Sequence, residues 1–207
     1  MKEVELSAKI SEDQFNFLNK KLSKDMEKTS SQKRFMIRFF KEKVDVRHPL
    51  DIRYKWTNGI HELVFKKGAL GSQSREECIV NLGKQNQLEK FVNIFSAFGY
   101  DVGNAMYRER EIFKNDSIEV MLVKVHPFFE MEVESINGVK KSDALKNIKN
   151  FFEEINIQPL NKADYQSFAR LKDKQSNIIF KLKDFPKPLI ENDKWRVIMN
   201  NTVLSNN

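Results

Sequence analysis

The sequence predicts an α+β fold, in which an eight-stranded antiparallel β-sheet closes into a barrel or tunnel flanked by helices. Eight segments alternate apolar and polar residues with a period of two, which is typical of strands that bury one face. Asn58-Gly59 joins two of these segments, and this dipeptide favours a tight hairpin turn. Other segments repeat apolar residues at helical spacing, after a capping residue or before a glycine. Together these observations favour a mixed fold built on hairpins.

The first half of the chain contains five predicted strands and one helix. Ser11 begins the helix, because Gln14 completes a capping box with it, and Leu18 and Leu22 belong to its apolar stripe. The polar stretch 23–32 is expected to be a loop. The predicted strands cover residues 2–10, 34–40, 51–56, 60–67 and 75–82.

The chain from about residue 85 onward contains three strands and three helices. A helix over about 85–98 ends at Gly99, a residue type that favours helix termination. The chain beyond residue 178 is expected to be an extra strand or helix, or an arm packed on the body. The remaining predicted elements are strands 105–113, 118–125 and 126–134 and helices 142–156 and 164–174.

The global composition bounds the class of protein and of partner. The chain has 207 residues and a net charge of +7, so we expect a main domain over 1–176, an extension over 177–207 and an anionic partner. Cys78 is the only cysteine, which excludes a disulfide framework and suits a reducing compartment. No apolar run approaches the roughly 20 residues that span a bilayer, and Glu3 and Glu5 do not fit a signal peptide. We therefore expect a cytoplasmic monomer or homodimer without a membrane partner.

The strands share a pattern that separates acids from bases. Glu130, Glu132 and Glu134 lie at spacing two on the last strand and therefore point to one face. Glu3 and Glu5 have the same spacing on the first strand and therefore also point to one face. Bases occupy the polar faces of the strands between, at Arg34, Arg38, Arg53, Lys55, Lys66, Arg75, Arg108 and Arg110.

A solvated sheet face is the simplest interpretation of any one of these strands. Taken together they favour a barrel with a charged lumen, since the acids and the bases concentrate on different strands. A basic wall binds a chain of phosphates, and an acidic wall holds Mg²⁺ or Mn²⁺, which take carboxylate oxygens. A nucleic-acid binder would account for the bases alone, so nucleic acid is the less expected partner.

Six motifs in this order resemble the CYTH, or triphosphate tunnel metalloenzyme, superfamily over about residues 2–170. They are Glu3-Val4-Glu5-Leu6, Arg53-Tyr54-Lys55 with the return Phe65-Lys66-Lys67-Gly68, Arg75-Glu76-Glu77, Arg108-Glu109-Arg110, the segment Val125 to Glu132 and, more weakly, Asp164-Tyr165. The superfamily includes class IV adenylyl cyclases, thiamine triphosphatases and inorganic triphosphatases. The resemblance implies a tunnel that binds a triphosphate together with Mg²⁺ or Mn²⁺.

The charge pattern and the resemblance together imply a role for each charged residue. The expected metal ligands are Glu3, Glu5, Glu130 and Glu132, with Glu134 less strongly supported. The expected catalytic residues are Lys9, Glu5 and Glu130. The expected substrate-binding residues are Arg38, Arg53, Lys55, Lys66, Arg75, Arg108 and Arg110.

The expected reaction is hydrolysis of the terminal phosphoryl group of tripolyphosphate, thiamine triphosphate or a nucleoside triphosphate. Cyclisation of ATP to 3′,5′-cyclic AMP with release of pyrophosphate is the alternative within the family. Binding of polyphosphate or RNA without turnover is a third alternative, because the chain departs from the family pattern. The family lysine two residues after the second glutamate is Ser7, for which Lys9 is expected to substitute, and a family aspartate has no counterpart near Met121.

Four further residues have structural interpretations. His61 is expected to have a surface or packing role on the apolar side of its strand, and His126 to occupy a turn. Cys78 is expected to be a core or wall thiol. Lys66, rather than Lys67, is expected to face the lumen, because Leu63 and Phe65 mark the opposite face as apolar.

Overall fold

The computed structural model describes residues 4–41, 50–68, 76–136 and 141–202, and of residues 141 and 142 the backbone only. The strands found there are β1 (Glu5–Ile10), β2 (Glu27–Phe40), β3 (Leu50–Thr57), β4 (Ile60–Lys67), β5 (Glu76–Gly83), β6 (Val102–Lys114), β7 (Ile118–Val125), β8 (Phe128–Ser135) and β9 (Ile178–Lys181). The α-helices are α1 (Glu12–Asp25), α2 (Leu88–Ala97), α3 (Lys141–Glu154), α4 (Lys162–Gln175), α5 (Lys187–Ile190) and α6 (Asp193–Asn201). The α+β class is thereby confirmed. None of these helices is long and apolar enough to cross a membrane.

The strands form one sheet, and the described pairings are antiparallel, as predicted. The strand order is β1-β8-β7-β6-β2-β3-β4-β5, with β9 paired to β6. Within the described residues this order is open, with β1 and β5 at its ends, so closure into a barrel is not confirmed.

The chain divides into two compact units. Unit 1 consists of Met1–Gln32, Leu70–Glu76 and Arg108–Lys172, and unit 2 consists of Lys33–Ala69, Glu77–Tyr107 and Asp173–Asn207. Because β2 and β6 are long, each unit contains a part of both strands.

Unit 1 contains α1, the capped helix that the sequence predicts. The Gln14 backbone N–H donates a 3.1 Å hydrogen bond to Ser11 Oγ, and the Ser11 N–H donates one of 2.8 Å to Gln14 Oε1. Leu18 and Leu22 of α1 share a core with residues of α3 and with one face of β1, β7 and β8. Side chains alternate along a strand, so the opposite face of these strands carries the polar residues.

Unit 2 contains the predicted hairpin, β3 to β4. Asn58 and Gly59 have φ angles of 47° and 89°, and a type I′ turn needs positive φ at both positions. The core of this unit joins one face of the hairpin to α2 and to the end of the chain, where Leu189, Trp195 and Met199 are buried. The segment after residue 177 is therefore β9, a 3-10 turn (Leu182–Asp184), α5 and α6, whereas the domain boundary at 176 stays a prediction.

The prediction of a loop over 23–32 is wrong. The helix α1 continues to Asp25, and β2 begins at Glu27. This part of β2 exposes polar side chains on both faces, so no apolar period marks it in the sequence. Contacts with β6 hold it, among them an ion pair of 2.7 Å between Lys28 Nζ and Glu111 Oε2.

The prediction that Cys78 is a core or wall thiol is also wrong, because Cys78 is exposed. It lies on β5, an end of the strand order, where most residues are exposed. Apolar neighbours in sequence therefore do not imply burial in this strand.

Candidate functional site

Three carboxylates of unit 1 meet on the polar face of β1 and β8. Oxygen atoms of Glu5, Glu132 and Glu134 lie within 4.8 Å of one another. The strands pair Glu5 with Glu134, and like charges on directly opposed strand residues repel. A divalent cation relieves such repulsion, since Mg²⁺ and Mn²⁺ take carboxylate oxygens. The donor set therefore fits the predicted metal, whereas Glu3 lies outside the described residues.

The arginines of β6 lie near these acids. Arg108 Nη1 is 3.3 Å from Glu132 Oε1, and Arg110 Nη2 donates a 2.8 Å hydrogen bond to Gln32 Oε1. Burial lowers the pKa of Arg110, although the negative charge of Glu132 opposes this shift. Arg110 Nε is buried without a hydrogen-bond partner among the described residues. It is therefore a donor that a bound anion could satisfy.

Apolar side chains of β7 lie between the glutamates of β8 and the arginines of β6. Met121, Val123 and Val125 of β7 form a small buried cluster with Ile112 of β6. Neighbouring strands are about 4.8 Å apart, so β6 and β8 lie about 10 Å apart, a span that long arginine side chains bridge. Met121 lies near the position of the family aspartate that this sequence lacks, so the apolar cluster has no carboxylate at that position.

Helix α4 presents three side chains to the acidic face, at Tyr165, Phe168 and Lys172. Their spacing of three and four residues places them on one side of the helix. Lys172 Nζ donates a hydrogen bond to Glu130 Oε2 and lies 4.6 Å from the centroid of the Phe168 ring. Burial raises the pKa of the Tyr165 hydroxyl, and the negative charges of Glu5 and the β8 glutamates raise it further.

Lys172, which the sequence analysis did not single out, is thus hydrogen-bonded to Glu130, and Arg108 Nη1 lies 3.7 Å from the other oxygen of this carboxylate. Lys9 is Glu130's partner in the strand register, but its side chain is exposed and its Nζ lies 5.8 Å from the Phe168 centroid. A signal was present in the sequence, because Lys172 is seven residues after Tyr165 and so shares its helix face. The catalytic role of Lys9 stays a prediction.

Unit 2 contains a separate group of bases on its own polar face. Arg38 and Arg53 are directly opposed in β2 and β3, which is a repulsive arrangement. Asp51 relieves it, with Oδ2 at 2.5 Å from Arg53 Nη2 and Oδ1 at 3.8 Å from Arg38 Nε. Arg38 and Arg53, two of the arginines predicted to bind substrate, therefore share the carboxylate of Asp51.

Glu77 lies between two lysines of unit 2, Lys55 and Lys66, and its negative charge reduces their mutual repulsion. Its carboxylate lies 3.1 Å from Lys66 Nζ and 3.7 Å from Lys55 Nζ. Burial lowers the pKa of Lys55 to about 8, and the positive charge of Arg34 adds to the shift. Burial raises the pKa of Glu77, but Lys66 and Lys55 outweigh it and leave this pKa below its ordinary value. Lys66 faces Glu77 while Lys67 is exposed. That Lys66 faces a lumen stays a prediction, and Arg75 lies outside the described residues.

Both histidine predictions are confirmed. His61 is buried, and its Nδ1 lies 2.7 Å from the Tyr54 hydroxyl. Burial lowers the pKa of His61 and raises that of Tyr54 to about 12, so both groups are neutral at physiological pH. His126 is exposed in the turn between β7 and β8.

Comparison with known proteins identifies the fold. No protein-family model and no curated protein match the chain. Solved structures do, among them the PH1819 protein from Pyrococcus horikoshii, with a TM-score of 0.61 and 19% identity over 82% of this chain and 99% of that one. HpAC1 from Hippeastrum, named as a candidate adenylyl cyclase with a dominant triphosphatase activity, has a TM-score of 0.54 and 13% identity over 81% and 96% of the two chains. The mimivirus capping enzyme triphosphatase has a TM-score of 0.54 and 15% identity over 75% and 89%.

At these identities the likeness concerns the fold alone. HpAC1 and the capping enzyme have folds of the CYTH, or triphosphate tunnel metalloenzyme, type. The resemblance seen in the sequence motifs is thereby confirmed at the level of the fold.

Proposed function

We propose that this chain is a metal-dependent enzyme that hydrolyses the terminal phosphoryl group of a linear triphosphate. The proposal rests on the carboxylate group of Glu5, Glu132 and Glu134, which lies near Arg108 and Arg110 in unit 1. A divalent cation and fixed positive charges are the two requirements for holding and activating a polyphosphate. The triphosphatase names of HpAC1 and of the mimivirus enzyme are consistent with it.

In this proposal Glu5 and Glu132 hold Mg²⁺ or Mn²⁺, with Glu134 as a third ligand. When bound, the cation supplies neutralisation and polarisation of phosphoryl oxygens. Arg108 and Arg110 bind other oxygens of the same group through charge-assisted hydrogen bonds. From the sequence, Glu3 and Glu130 are further candidate ligands, and Lys9, Glu5 and Glu130 are the candidate catalytic residues.

The bases of unit 2 are proposed to bind phosphate oxygens as well. These residues are Arg38, Arg53, Lys55, Lys66 and Arg75. Four of them lie beside Asp51 or Glu77, so a phosphate must compete with these carboxylates. We therefore expect Asp51→Asn to strengthen the binding of tripolyphosphate if unit 2 contributes to affinity.

A second candidate is cyclisation of ATP, because HpAC1 is named for adenylyl cyclase as well as for triphosphatase activity. Cyclisation draws on the same metal ligands and bases, so the described residues do not favour one reaction over the other. Binding of polyphosphate or RNA without turnover is a third, since one fold hosts many functions and Ser7 and Met121 depart from the family pattern. Closure of the sheet into a tunnel, the boundary at 176, a cytoplasmic location and a monomeric or dimeric state stay predictions.

The test offers tripolyphosphate, thiamine triphosphate and ATP separately, with Mg²⁺ or Mn²⁺, and identifies the products by chromatography. We expect orthophosphate from tripolyphosphate, and no release after chelation. Glu132→Gln should lower the rate at least about 100-fold, because a bound metal contributes several kcal/mol to transition-state stabilisation.

Glu111→Gln is the matched control, because Glu111 pairs with Lys28 and does not belong to the carboxylate group. Its rate should stay within about twofold of the wild type, as for most surface substitutions. Cyclic AMP and pyrophosphate from ATP would favour the cyclase instead. Intact substrates, with retained binding of tripolyphosphate, would contradict both catalytic proposals.

A further inference from the structure

Gln32 of β2 holds one nitrogen of the Arg110 guanidinium group in unit 1. Its Oε1 accepts the 2.8 Å hydrogen bond from Arg110 Nη2, and its own Nε2 donates one of 3.2 Å to Ser30 Oγ. The orientation of the amide follows from the first contact, because a guanidinium group can only donate. Both side chains are partly buried, and their strands are neighbours in the sheet. The amide of Gln32 is thus held at both of its polar atoms.

Arg110 has a second donor that the described part of the chain leaves without an acceptor. This donor is Nε, which is buried, and a buried N–H is costly unless a partner satisfies it. Burial lowers the pKa of Arg110, and the negative charges of Glu132, Glu134 and Glu119 oppose this shift. Arginine stays protonated at physiological pH. The group therefore combines a positive charge, an ordered guanidinium plane and an N–H that a ligand can satisfy.

The partner that orders Arg110 carries no charge, unlike the one that orders Arg53 in unit 2. Asp51 Oδ2 lies 2.5 Å from Arg53 Nη2, so this carboxylate both orients the arginine and offsets its charge. An amide oxygen accepts a hydrogen bond without adding a negative charge. Gln32 therefore orients Arg110 without a charge that a phosphate would have to displace.

We propose that Gln32 is a positioning residue for phosphate binding, which holds Arg110 Nη2 so that the Nε–H is presented to a phosphoryl oxygen. The inference rests on the proposed function, because it assumes that Arg110 binds the triphosphate. A long side chain that is already ordered loses less conformational entropy when the ligand binds. The phosphoryl oxygen in turn satisfies the buried Nε–H through a charge-assisted hydrogen bond.

The experiment is a calorimetric titration with the bis(methylene) analogue of tripolyphosphate and Mg²⁺, because the P–C–P links of this analogue are not hydrolysed. Gln32→Met removes the amide at similar length and should lower the affinity about three- to tenfold, as expected for one hydrogen bond. Gln32→Glu keeps the acceptor but adds a charge that competes with phosphate, so it should lower the affinity at least about tenfold. Its Tm without ligand should equal or exceed that of the wild type, because the carboxylate forms a stronger bond to Arg110.

Ser31→Ala is the matched control. The Ser31 hydroxyl also joins β2 to β6, at 2.5 Å from Glu111 Oε2, but it lies on the opposite face of β2 from Gln32. Its affinity for the analogue should stay within about twofold of the wild type. In an Arg110→Met background, Gln32→Met should change the affinity by less than about twofold, because the group that it positions has been removed.

A wild-type affinity in Gln32→Glu, or a full effect of Gln32→Met in the Arg110→Met background, would overturn the inference. A parallel loss of Tm and affinity in Gln32→Glu would also overturn it, because a merely structural role lowers both. These comparisons are decisive even if Gln32→Met does not fold, since Gln32→Glu is isosteric. A wild-type protein that does not bind the analogue would overturn the inference and the triphosphate function together. A wild-type protein that binds the analogue but hydrolyses no triphosphate would overturn only the function, and the pattern of affinities would still support the inference.

Discussion

Loss of the Lys172 ammonium should destabilise the protein far more than loss of the whole Lys172–Glu130 pair. Lys172→Met removes the ammonium that donates to Glu130, a carboxylate that is 1% exposed. Breaking a buried ion pair on one side costs about 3–5 kcal/mol, whereas replacing both partners by neutral residues is often close to neutral. For a protein of this size each kcal/mol lowers Tm by about 2–4 °C. We therefore expect a fall of roughly 6–20 °C, against an ordinary stability of about 5–15 kcal/mol.

The assay is urea unfolding followed by far-UV circular dichroism, on the wild type, Lys172→Met, Glu130→Gln and the double variant that has both substitutions. The double-mutant cycle should give a coupling free energy of at least about 2 kcal/mol. Lys174→Met is the control, because Lys174 is exposed on the same helix and should change the stability by about 0.5 kcal/mol or less. A loss below about 1 kcal/mol in Lys172→Met, or a double variant as unstable as Lys172→Met, would refute the reasoning.

Three smaller perturbations test other contacts. Lys55→Arg should flatten the pH dependence of tripolyphosphate binding. The lysine, with a pKa of about 8, loses its charge as the pH rises through that value, whereas arginine stays charged. Calorimetric affinities that fall equally with pH in both proteins would contradict a role of Lys55. Gly103→Ala should lower the free energy of unfolding by about 1–3 kcal/mol through overpacking, since a Cβ there would lie 2.6 Å from Phe180 Cζ. An unchanged Tm would show that β9 moves to accommodate the methyl group without loss of stability. Ser11→Ala should cost about 1 kcal/mol of unfolding free energy and Ser11→Asp much less, and equal losses would argue against the cap.

Sequence reasoning located most of the strands, because alternation of apolar and polar residues is local information. Alternation alone placed Arg53 and Lys55 on one face and Tyr54 on the other. Tyr54 indeed packs in the apolar core, whereas Lys55 Nζ lies 3.7 Å from the Glu77 carboxylate. The same reasoning failed at residues 27–32, because a strand that exposes polar groups on both faces has no apolar period. It failed at Cys78 because an edge position, which depends on the strand order, overrides a local apolar pattern.

In the candidate site, too, some features follow from the local sequence and others only from the tertiary structure. Parity along β8 was enough to put Glu130, Glu132 and Glu134 in one row, since a strand's side chains alternate by steric necessity. Parity cannot distinguish members of that row, because their environments come from other elements. The register of β1 opposes Glu134 to Glu5, and α4, 42 residues further along the chain, supplies the ammonium on Glu130. Local sterics and hydrophobic period therefore specify which carboxylates share a face, whereas long-range packing specifies which groups lie beside each carboxylate.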